Sequence, residues 1–330
     1  MPRGVQVVSA GSFEDGAKAY ESGDYATALK LWPTLAEEGH VRSQLLLGAL
    51  YSNGQGVAQD FKEAMKWYRM AAEQGDEKGQ YNVGVMYTEG QGVAQNHKEA
   101  MAWYRLAAER GDAKAQYGIG VMYAFGLDVT QNHKEAVKWY RKAAELGYAQ
   151  AQQVLGMKHY KGEGVEQDYK EATKWYFLAA EQGDALAQNN LGVMYAKGQG
   201  ITQDYKEAVK WYLKAAQQGN AGAQSILGAM YANGEGVGQD FREALKWYFL
   251  AAAQGDALAQ SNLGVMYYNG QCVEKDYVRA HMWFALSAAN GKTEAAGKRE
   301  MVAKGMTPDQ IAQAQEMARK CQASNYKQCD

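Results

Sequence analysis

Apolar residues recur along the chain at spacings of three and four positions, which place them on one face of a helix. In Lys114–Phe125 that face carries small or apolar side chains at positions 115, 119, 122 and 123. In Lys134–Leu146 it carries them at positions 136, 139, 140, 143 and 144. The pattern therefore predicts two amphipathic helices joined by a short turn.

This helix pair is repeated along the chain. The clearest marker is tryptophan, which returns every 36 residues at Trp67, Trp103, Trp139, Trp175, Trp211, Trp247 and Trp283. Seven units therefore run from Gly39 to Asn290 without an insertion. One helix pair cannot bury its own apolar face, but stacked pairs can, so the repeat predicts an all-α solenoid of antiparallel helix pairs with a 36-residue period.

Helix ends are marked by residues at fixed places in each unit. Asp60 followed by Glu63 has the spacing of a capping box at the start of a second helix. Gly75 stands where a left-handed residue ends that helix, and Asp76 then caps the next one. The Asp76 position departs from aspartate at His40, Tyr148 and Asn220.

One glycine in each unit lies inside the first helix, where glycine costs about 1 kcal/mol relative to alanine. These residues are Gly48, Gly84, Gly120, Gly156, Gly192, Gly228 and Gly264. We expect a close approach of the two helix backbones at this glycine, with the tryptophan of the second helix packed beside it.

The two ends of the array differ from the repeats, as terminal repeats do. Residues 11–38 form a shortened capping repeat in which Trp32 takes the position that Tyr68 holds later. Residues 291–330 contain two predicted capping helices, Thr293–Lys304 and Pro308–Cys321, and a tail. Residues 1–10 are interpreted as a disordered leader or the stub of a removed signal peptide.

The repeat unit resembles the Sel-1-like repeat family, relatives of the tetratricopeptide repeats. Its pattern A-Q-x-x-L-G-x-M-Y-x-x-G-x-G-V-x-Q-D-Y-x-E-A-x-K-W-Y-x-x-A-A-x-Q-G is matched almost letter for letter by residues 187–219. The resemblance implies a right-handed α/α superhelix that serves as a protein-protein interaction scaffold and binds a peptide or partner protein on its concave face. Positions that hold paired cysteines in one branch of the family hold alanine or serine here, as in its cysteine-poor bacterial members.

Charge and hydropathy exclude several classes of partner. A formal charge of -2 gives no basic field for nucleic acid or an anionic membrane, and no stretch reaches the ~20 apolar residues of a membrane span. We expect a monomer that uses no cofactor. The tail resembles the ending of many bacterial exported repeat proteins, so a periplasmic or secreted location is favoured, with the cytoplasm as the alternative.

Motifs that suggest catalysis fail on their surroundings. The segment NGKT at Asn290–Thr293 lacks the upstream glycine and strand of a phosphate loop, and SNYK at Ser324–Lys327 lies beyond the last predicted helix. His97 and His133 share a position that otherwise holds Phe or Tyr, which indicates packing rather than metal binding. We therefore predict no enzyme and no metal site, with a cell-wall or β-lactam hydrolase as the alternative.

Two of the three cysteines lie at the end of the chain, eight residues apart. Cys321 and Cys329 are predicted to form a disulfide that ties the tail to the last helix, and two free thiols in a reducing cytosol are the alternative. Cys272 replaces a turn glycine and is expected to be an exposed free thiol.

The candidate binding residues lie on the face of the first helices that changes from unit to unit. They are Lys78, Tyr81, Asn82, Lys114, Tyr117, Gln153, Tyr160, Asn189, Asn190, Asn262 and Tyr268. A solvated face varies freely too, but this one is rich in amides and tyrosines and poor in acids, which favours recognition. Lys78 and Lys114 occupy equivalent positions in adjacent units and are predicted to engage an acidic side chain or a terminal carboxylate, beside Asn82.

Overall fold

The computed structural model describes residues 10–327 and residue 329, with side chains from residue 13 onward. Within these residues the chain is entirely helical and has eighteen α-helices, which confirms the predicted all-α class. The predicted leader, residues 1–10, lies outside the described residues except for Ala10, at which the first helix begins. The helices form two compact units, residues 1–167 and 168–330.

The first unit consists of three repeat pairs, a shorter pair before them and a first helix after them. Its helices are α1 (Ala10–Glu21), α2 (Tyr25–Glu37), α3 (Val41–Asn53), α4 (Phe61–Glu73), α5 (Glu77–Glu89), α6 (His97–Glu109), α7 (Ala113–Phe125), α8 (His133–Glu145) and α9 (Ala149–Lys161). Each first helix packs on the second helix of its own pair and on the second helix of the pair before it, so α5 contacts both α6 and α4.

The second unit begins with a second helix, continues through three repeat pairs and ends in two helices of different spacing. Its helices are α10 (Tyr169–Glu181), α11 (Ala185–Lys197), α12 (Tyr205–Gln217), α13 (Ala221–Asn233), α14 (Phe241–Ala252), α15 (Ala257–Asn269), α16 (Tyr277–Ala289), α17 (Glu294–Ala303) and α18 (Pro308–Ala323). The same alternating contacts hold here, and α17 and α18 both pack on α16.

The glycine inside each first helix makes room for an aromatic ring. A Cβ on Gly84 would come within 2.6 Å of the Tyr104 ring, and one on Gly192 within 2.8 Å of the Tyr212 ring. The expectation that a tryptophan fills this place is wrong, because the ring on the glycine belongs to the next residue along the second helix. A flat ring against a bare backbone is a close contact, and it offsets the low helix propensity of glycine.

The tryptophans pack between repeats instead. Trp67 belongs to a buried cluster with Leu35 of α2, in the preceding pair, and with Leu47 of α3, in its own pair, and it is 4% exposed. In the second unit Trp247 likewise belongs to a cluster with Val209 of α12, in the preceding pair. The two neighbouring aromatic residues therefore have different contacts. The tyrosine packs against the other helix of its own pair, and the tryptophan also packs against the preceding pair.

The caps form largely as predicted, with one correction. Asp60 accepts hydrogen bonds from the backbone amides of Lys62 and Glu63 at 2.9 and 3.1 Å. The reciprocal half of the predicted capping box is replaced, because the Asp60 amide donates to the Tyr51 carbonyl at 2.9 Å. Turn glycines such as Gly75, at φ +86°, take the expected left-handed conformation.

The ends of the array are closed by local substitutes for a full repeat. The ring of Trp32 lies over Gly16 as the ring of Tyr68 lies over Gly48, and Trp32 is fully buried. At the other end α18 begins at a complete capping box formed by Thr307 and Gln310.

Candidate partner-binding face

The first helices leave one row of side chains uncovered by the repeat core. In α5 this row consists of Lys78, Tyr81, Asn82, Val85 and Thr88, which are half-buried except for the exposed Lys78. We call these positions, and their equivalents in the other first helices, the first-helix face. The predicted binding residues all lie on this face, whereas its valine position was not predicted because it changes little between units.

The tyrosines of this face in the first unit rest on the aromatic core. The centroid of the Tyr81 ring lies 5.9 Å from that of Tyr104, and the centroid of Tyr117 lies 5.4 Å from that of Tyr140. Burial raises the pKa of the Tyr81 hydroxyl, as it does for Tyr117. Both phenols are therefore neutral at physiological pH and can donate a hydrogen bond.

A pocket of about 440 Å³ opens on this face in the first unit. It is lined by residues of α5, by the start of α7 and by the turn before α9, namely Lys78, Tyr81, Asn82, Asp112, Ala113, Lys114, Leu146, Gly147 and Tyr148. Four of the predicted residues, Lys78, Tyr81, Asn82 and Lys114, are thus brought together. A second pocket of about 210 Å³ shares Tyr81 and Lys114 and adds Tyr117.

Asp112 is the acidic group of the larger pocket. Its carboxylate accepts a hydrogen bond of 2.6 Å from the Ala115 amide and so caps α7. Burial raises the pKa of this carboxyl, against the opposing effects of that hydrogen bond and of Lys114. The Lys114 ammonium lies 5.9 Å from the centroid of the Tyr81 ring, and it forms no salt bridge within the described chain.

The turn before α9 contributes two residues that sequence reasoning did not place at the site. Tyr148 stands at the N-cap of α9 and makes no capping hydrogen bond, whereas Asp76 and Asp112 cap the equivalent helices. Its ring instead packs edge-on against Tyr117, with 5.4 Å between the centroids. The sequence shows that residue 148 is not the usual capping aspartate, but only the structure shows that residue 148 lines the pocket.

Leu146, in the same turn, interrupts a series of hydrogen bonds between repeats. Elsewhere a glutamine at its position donates to a buried glutamine thirty residues earlier, as in Gln74 to Gln44 at 2.8 Å and Gln218 to Gln188 at 2.7 Å. Leu146 cannot donate, and the buried Oε1 of Gln116 has no hydrogen-bond partner within the described chain. The Leu146 side chain is 56% exposed at the pocket.

The remaining predicted residues are distributed along the face rather than gathered at one pocket. Gln153 and Tyr160 are half-buried on α9 and line neither of the two pockets above. In the second unit Asn189 and Asn190 are half-buried on α11. Asn262 lines a separate pocket of about 320 Å³.

Tyr268 occupies a different local setting from the other face tyrosines. Its ring packs against Tyr277, with 5.5 Å between centroids, and the Lys275 ammonium lies 5.7 Å from the Tyr268 centroid. Asn262 in turn hydrogen-bonds the Tyr248 hydroxyl, an interaction that opposes the burial that raises the pKa of Tyr248 to about 12. The amide is thus already engaged by the core.

At the histidine position of the first unit, His133 lies beside an acidic side chain. His133 Nδ1 lies 3.2 Å from the carboxylate of Glu163, an acidic neighbour that the sequence did not reveal. The same carboxylate accepts a hydrogen bond of 2.6 Å from the buried Lys158 ammonium. Within the described residues no group of three or more metal-ligating side chains is found.

The cysteines lie away from this face. The structure joins Cys321 and Cys329 as a disulfide, and it leaves Cys272 as an exposed thiol at a left-handed backbone position, φ +61°. Tyr326, between the paired cysteines, donates a hydrogen bond of 2.8 Å to Asn290 at the end of α16. None of the described helices has the length and apolar character needed to cross a bilayer.

Comparison with known proteins identifies the class. The Sel1 repeat family model matches residues 41–76, 78–112, 113–148, 149–184, 185–220, 221–256 and 257–292, so the chain belongs to the Sel1 repeat family. No curated protein matches the chain.

Two solved structures share both sequence and fold with the chain. A protective antigen of uropathogenic Escherichia coli with the SLR fold is 35% identical over 96% of this chain and 70% of its own, with a TM-score of 0.85. A Sel1 repeat protein from Oxalobacter formigenes is 36% identical over 74% of this chain and 97% of its own, with a TM-score of 0.64. Proteins of this family are generally protein-interaction scaffolds.

Proposed function

We propose that this protein is a non-catalytic scaffold or adaptor that holds an extended peptide, or the tail of a partner protein, on its first-helix face. The observation that carries the proposal is the pocket of about 440 Å³ in the first unit, where two lysines, a tyrosine and an asparagine converge on one concave site. A concave site with apolar walls and a few polar groups is the usual form of a binding site.

The tyrosines are the expected source of affinity. Tyr81 and Tyr117 are held by ring packing, so they lose little conformational freedom when a partner binds. Each offers flat apolar area and a neutral hydroxyl, and truncation of such an anchor costs about 2 kcal/mol or more of binding free energy.

The lysines set the chemistry of the partner. Lys78 and Lys114 are exposed at equivalent positions one repeat apart, where they can engage an acidic side chain or a terminal carboxylate. Asn82 can bond the peptide backbone beside them. On the first-helix face of the second unit, Asn189 and Asn190 supply amides without charge, and Asn262 adds a third while it bonds Tyr248, so affinity should fall only modestly as salt rises.

We further propose that the protein acts as an exported monomer without a cofactor. The pairing of Cys321 with Cys329 supports export, because disulfides persist in oxidising compartments. Fractionation of the native cell tests this part: recovery of the protein only from the cytosol would contradict it.

The binding proposal is tested by capture of a partner from the native cell envelope, followed by titration calorimetry. Lys78→Ala/Lys114→Ala and Tyr81→Ala/Tyr117→Ala should each weaken binding at least tenfold. Lys138→Ala, an exposed lysine of the second helix α8, is the matched control and should bind like the parent. If the control abolishes binding while both face variants bind normally, the functional surface lies on the second helices.

A further inference from the structure

The turn Leu146–Gly147–Tyr148 departs from the repeat pattern twice, and both departures face the larger pocket of the first unit. Tyr148 gives up the cap of α9, and Leu146 gives up the hydrogen bond that would satisfy Gln116. Within the described chain the hydrogen bond is also lost one repeat earlier, where Arg110 leaves the Oε1 of Gln80 without a partner, but Asp112 keeps the helix cap there, so both losses coincide only at the turn before α9. Positions at which local rules are broken without local compensation are candidates for function.

The two replacements share one chemical effect. An acidic cap and an amide would have made this wall of the pocket polar, whereas Leu146 and Tyr148 make it apolar. Leu146 is 56% exposed, so most of its side chain is available to a bound group. Tyr148 is supported from behind by Tyr117, which fixes its ring at the pocket wall.

The opposite side of the pocket is positively charged. Lys78 and Lys114 are exposed, and within the described chain neither ammonium is paired with a carboxylate in a salt bridge. Asp112 is the only acid among the lining residues, and one of its oxygens is committed to the cap of α7. A group that fills this pocket must therefore combine an apolar part with a negative charge.

We propose that the pocket binds the C-terminal residue of a partner polypeptide, and that this residue is apolar. Its side chain would lie on Leu146 and Tyr148, and its free α-carboxylate would bind Lys78 and Lys114. An internal acidic residue satisfies the lysines but leaves the apolar wall uncovered, and a basic residue is repelled. A volume of about 440 Å³ is ample for one residue and its terminal carboxylate. The inference rests on the proposed function and names the partner class for this site.

The test uses a library of synthetic peptides with five randomised C-terminal residues, each made as the free acid and as the amide. Peptides selected on the full chain should end in Leu, Ile, Val, Phe or Met. Amidation of a selected peptide should weaken its binding at least tenfold, as should Lys78→Ala/Lys114→Ala. Selection without preference for an apolar last residue, or equal binding of acid and amide, would overturn the proposal.

Two variants separate recognition from folding. Leu146→Gln should weaken binding of the selected peptides about tenfold while raising the thermal midpoint, because it restores the hydrogen bond to Gln116. Arg110→Gln makes the equivalent restoration to Gln80 one repeat earlier, outside the pocket, and should leave binding unchanged. Equal affinity of both variants for the peptides would show that Leu146 makes no contact and would overturn the apolar subsite.

The outcomes also distinguish this inference from the broader proposal. If the chain selects peptides that bind equally as acids and amides, yet lose affinity with Tyr81→Ala/Tyr117→Ala, the first-helix face binds peptides and only the terminal anchor is wrong. If no peptide is selected and the captured partner binds the face variants like the parent, both proposals fail.

Discussion

Replacement of Leu146 by glutamine should stabilise the first unit. At Gln74, Gln218 and Gln254, which hold the equivalent position, Nε2 lies 2.7 to 2.8 Å from the Oε1 of a buried glutamine. The backbone at residue 146, with φ −80° and ψ 4°, is nearly the same as at Gln218, with φ −83° and ψ 4°. A glutamine at 146 can therefore reach Gln116 without a change of backbone.

The size of the effect follows from three terms. A hydrogen bond to a buried acceptor that otherwise has none contributes about 1–3 kcal/mol. Against this, loss of the buried part of Leu146, which is less than half of the side chain, costs up to about 1 kcal/mol. Ordering the glutamine costs about another 0.5–1 kcal/mol. The net gain in the free energy of unfolding should be about 0.5–1 kcal/mol.

Urea and thermal unfolding followed by far-ultraviolet circular dichroism measure the change. For a unit of this size, 1 kcal/mol shifts the midpoint by about 2–4 °C. The reverse exchange, Gln74→Leu, leaves the buried Gln44 acceptor without its 2.8 Å partner and should destabilise by about 1–2 kcal/mol. If Leu146→Gln gains nothing and Gln74→Leu loses nothing, the glutamine contacts do not stabilise the array.

Three further predictions concern the core, the ion cluster and the tail. Gly192→Leu should cost about 3 kcal/mol or more in urea unfolding, because a Cβ there lies 2.8 Å from a buried ring; an unchanged midpoint would contradict this packing. The hydrogen bond from Lys158 lowers the pKa of Glu163, so this pair stabilises the protein above the ordinary carboxyl value of 4.5 and that stability is lost as the pH falls through the folded pKa. Glu163→Gln should therefore destabilise at pH ~7 and much less at pH ~3, and equal losses at both would refute the pairing. Intact mass should show one alkylated cysteine before reduction and all 3 after it, whereas full alkylation before reduction would exclude the bridge of Cys321 with Cys329.

The helices and their pairing could be predicted from the sequence because the residues that mark each helix end recur in several units. The predicted Lys114–Phe125 is observed as Ala113–Phe125, and Pro308–Cys321 as Pro308–Ala323. The sequence was insufficient to say which aromatic ring lies on the interior glycine. Trp is followed by Tyr in six of the seven units and by Phe in the last, so a 36-residue period cannot separate the directions of the two rings. That choice depends on the crossing of the two helices, which only the packed structure defines.

The candidate-site residues that share one helix could be predicted from the sequence, whereas those contributed by the turn before α9 could not. Lys78, Tyr81 and Asn82 share a helical face, and that much follows from spacing alone. The approach of Tyr148 to Tyr117 joins residues of different repeats through the stacking of helix pairs. A missing cap at residue 148 was visible, but a sequence gives no means of telling a tolerated loss from one that shapes a pocket.

The structure separates residues that depart from the repeat and gain a new hydrogen-bond partner from residues that depart from it and gain none. Lys158 and His159 replace the methionine and tyrosine of other units, yet Glu163 binds the lysine at 2.6 Å and the Arg141 guanidinium lies 3.1 Å from the histidine ring. Both replacements have partners within the described chain, so they need no external ligand to explain them. The departures at the turn before α9 have no such internal balance: one leaves a helix without its side-chain cap, and the other leaves a buried acceptor without a donor. Because natural proteins retain destabilised positions where function needs them, the uncompensated turn is the place where a partner should supply the missing stabilisation.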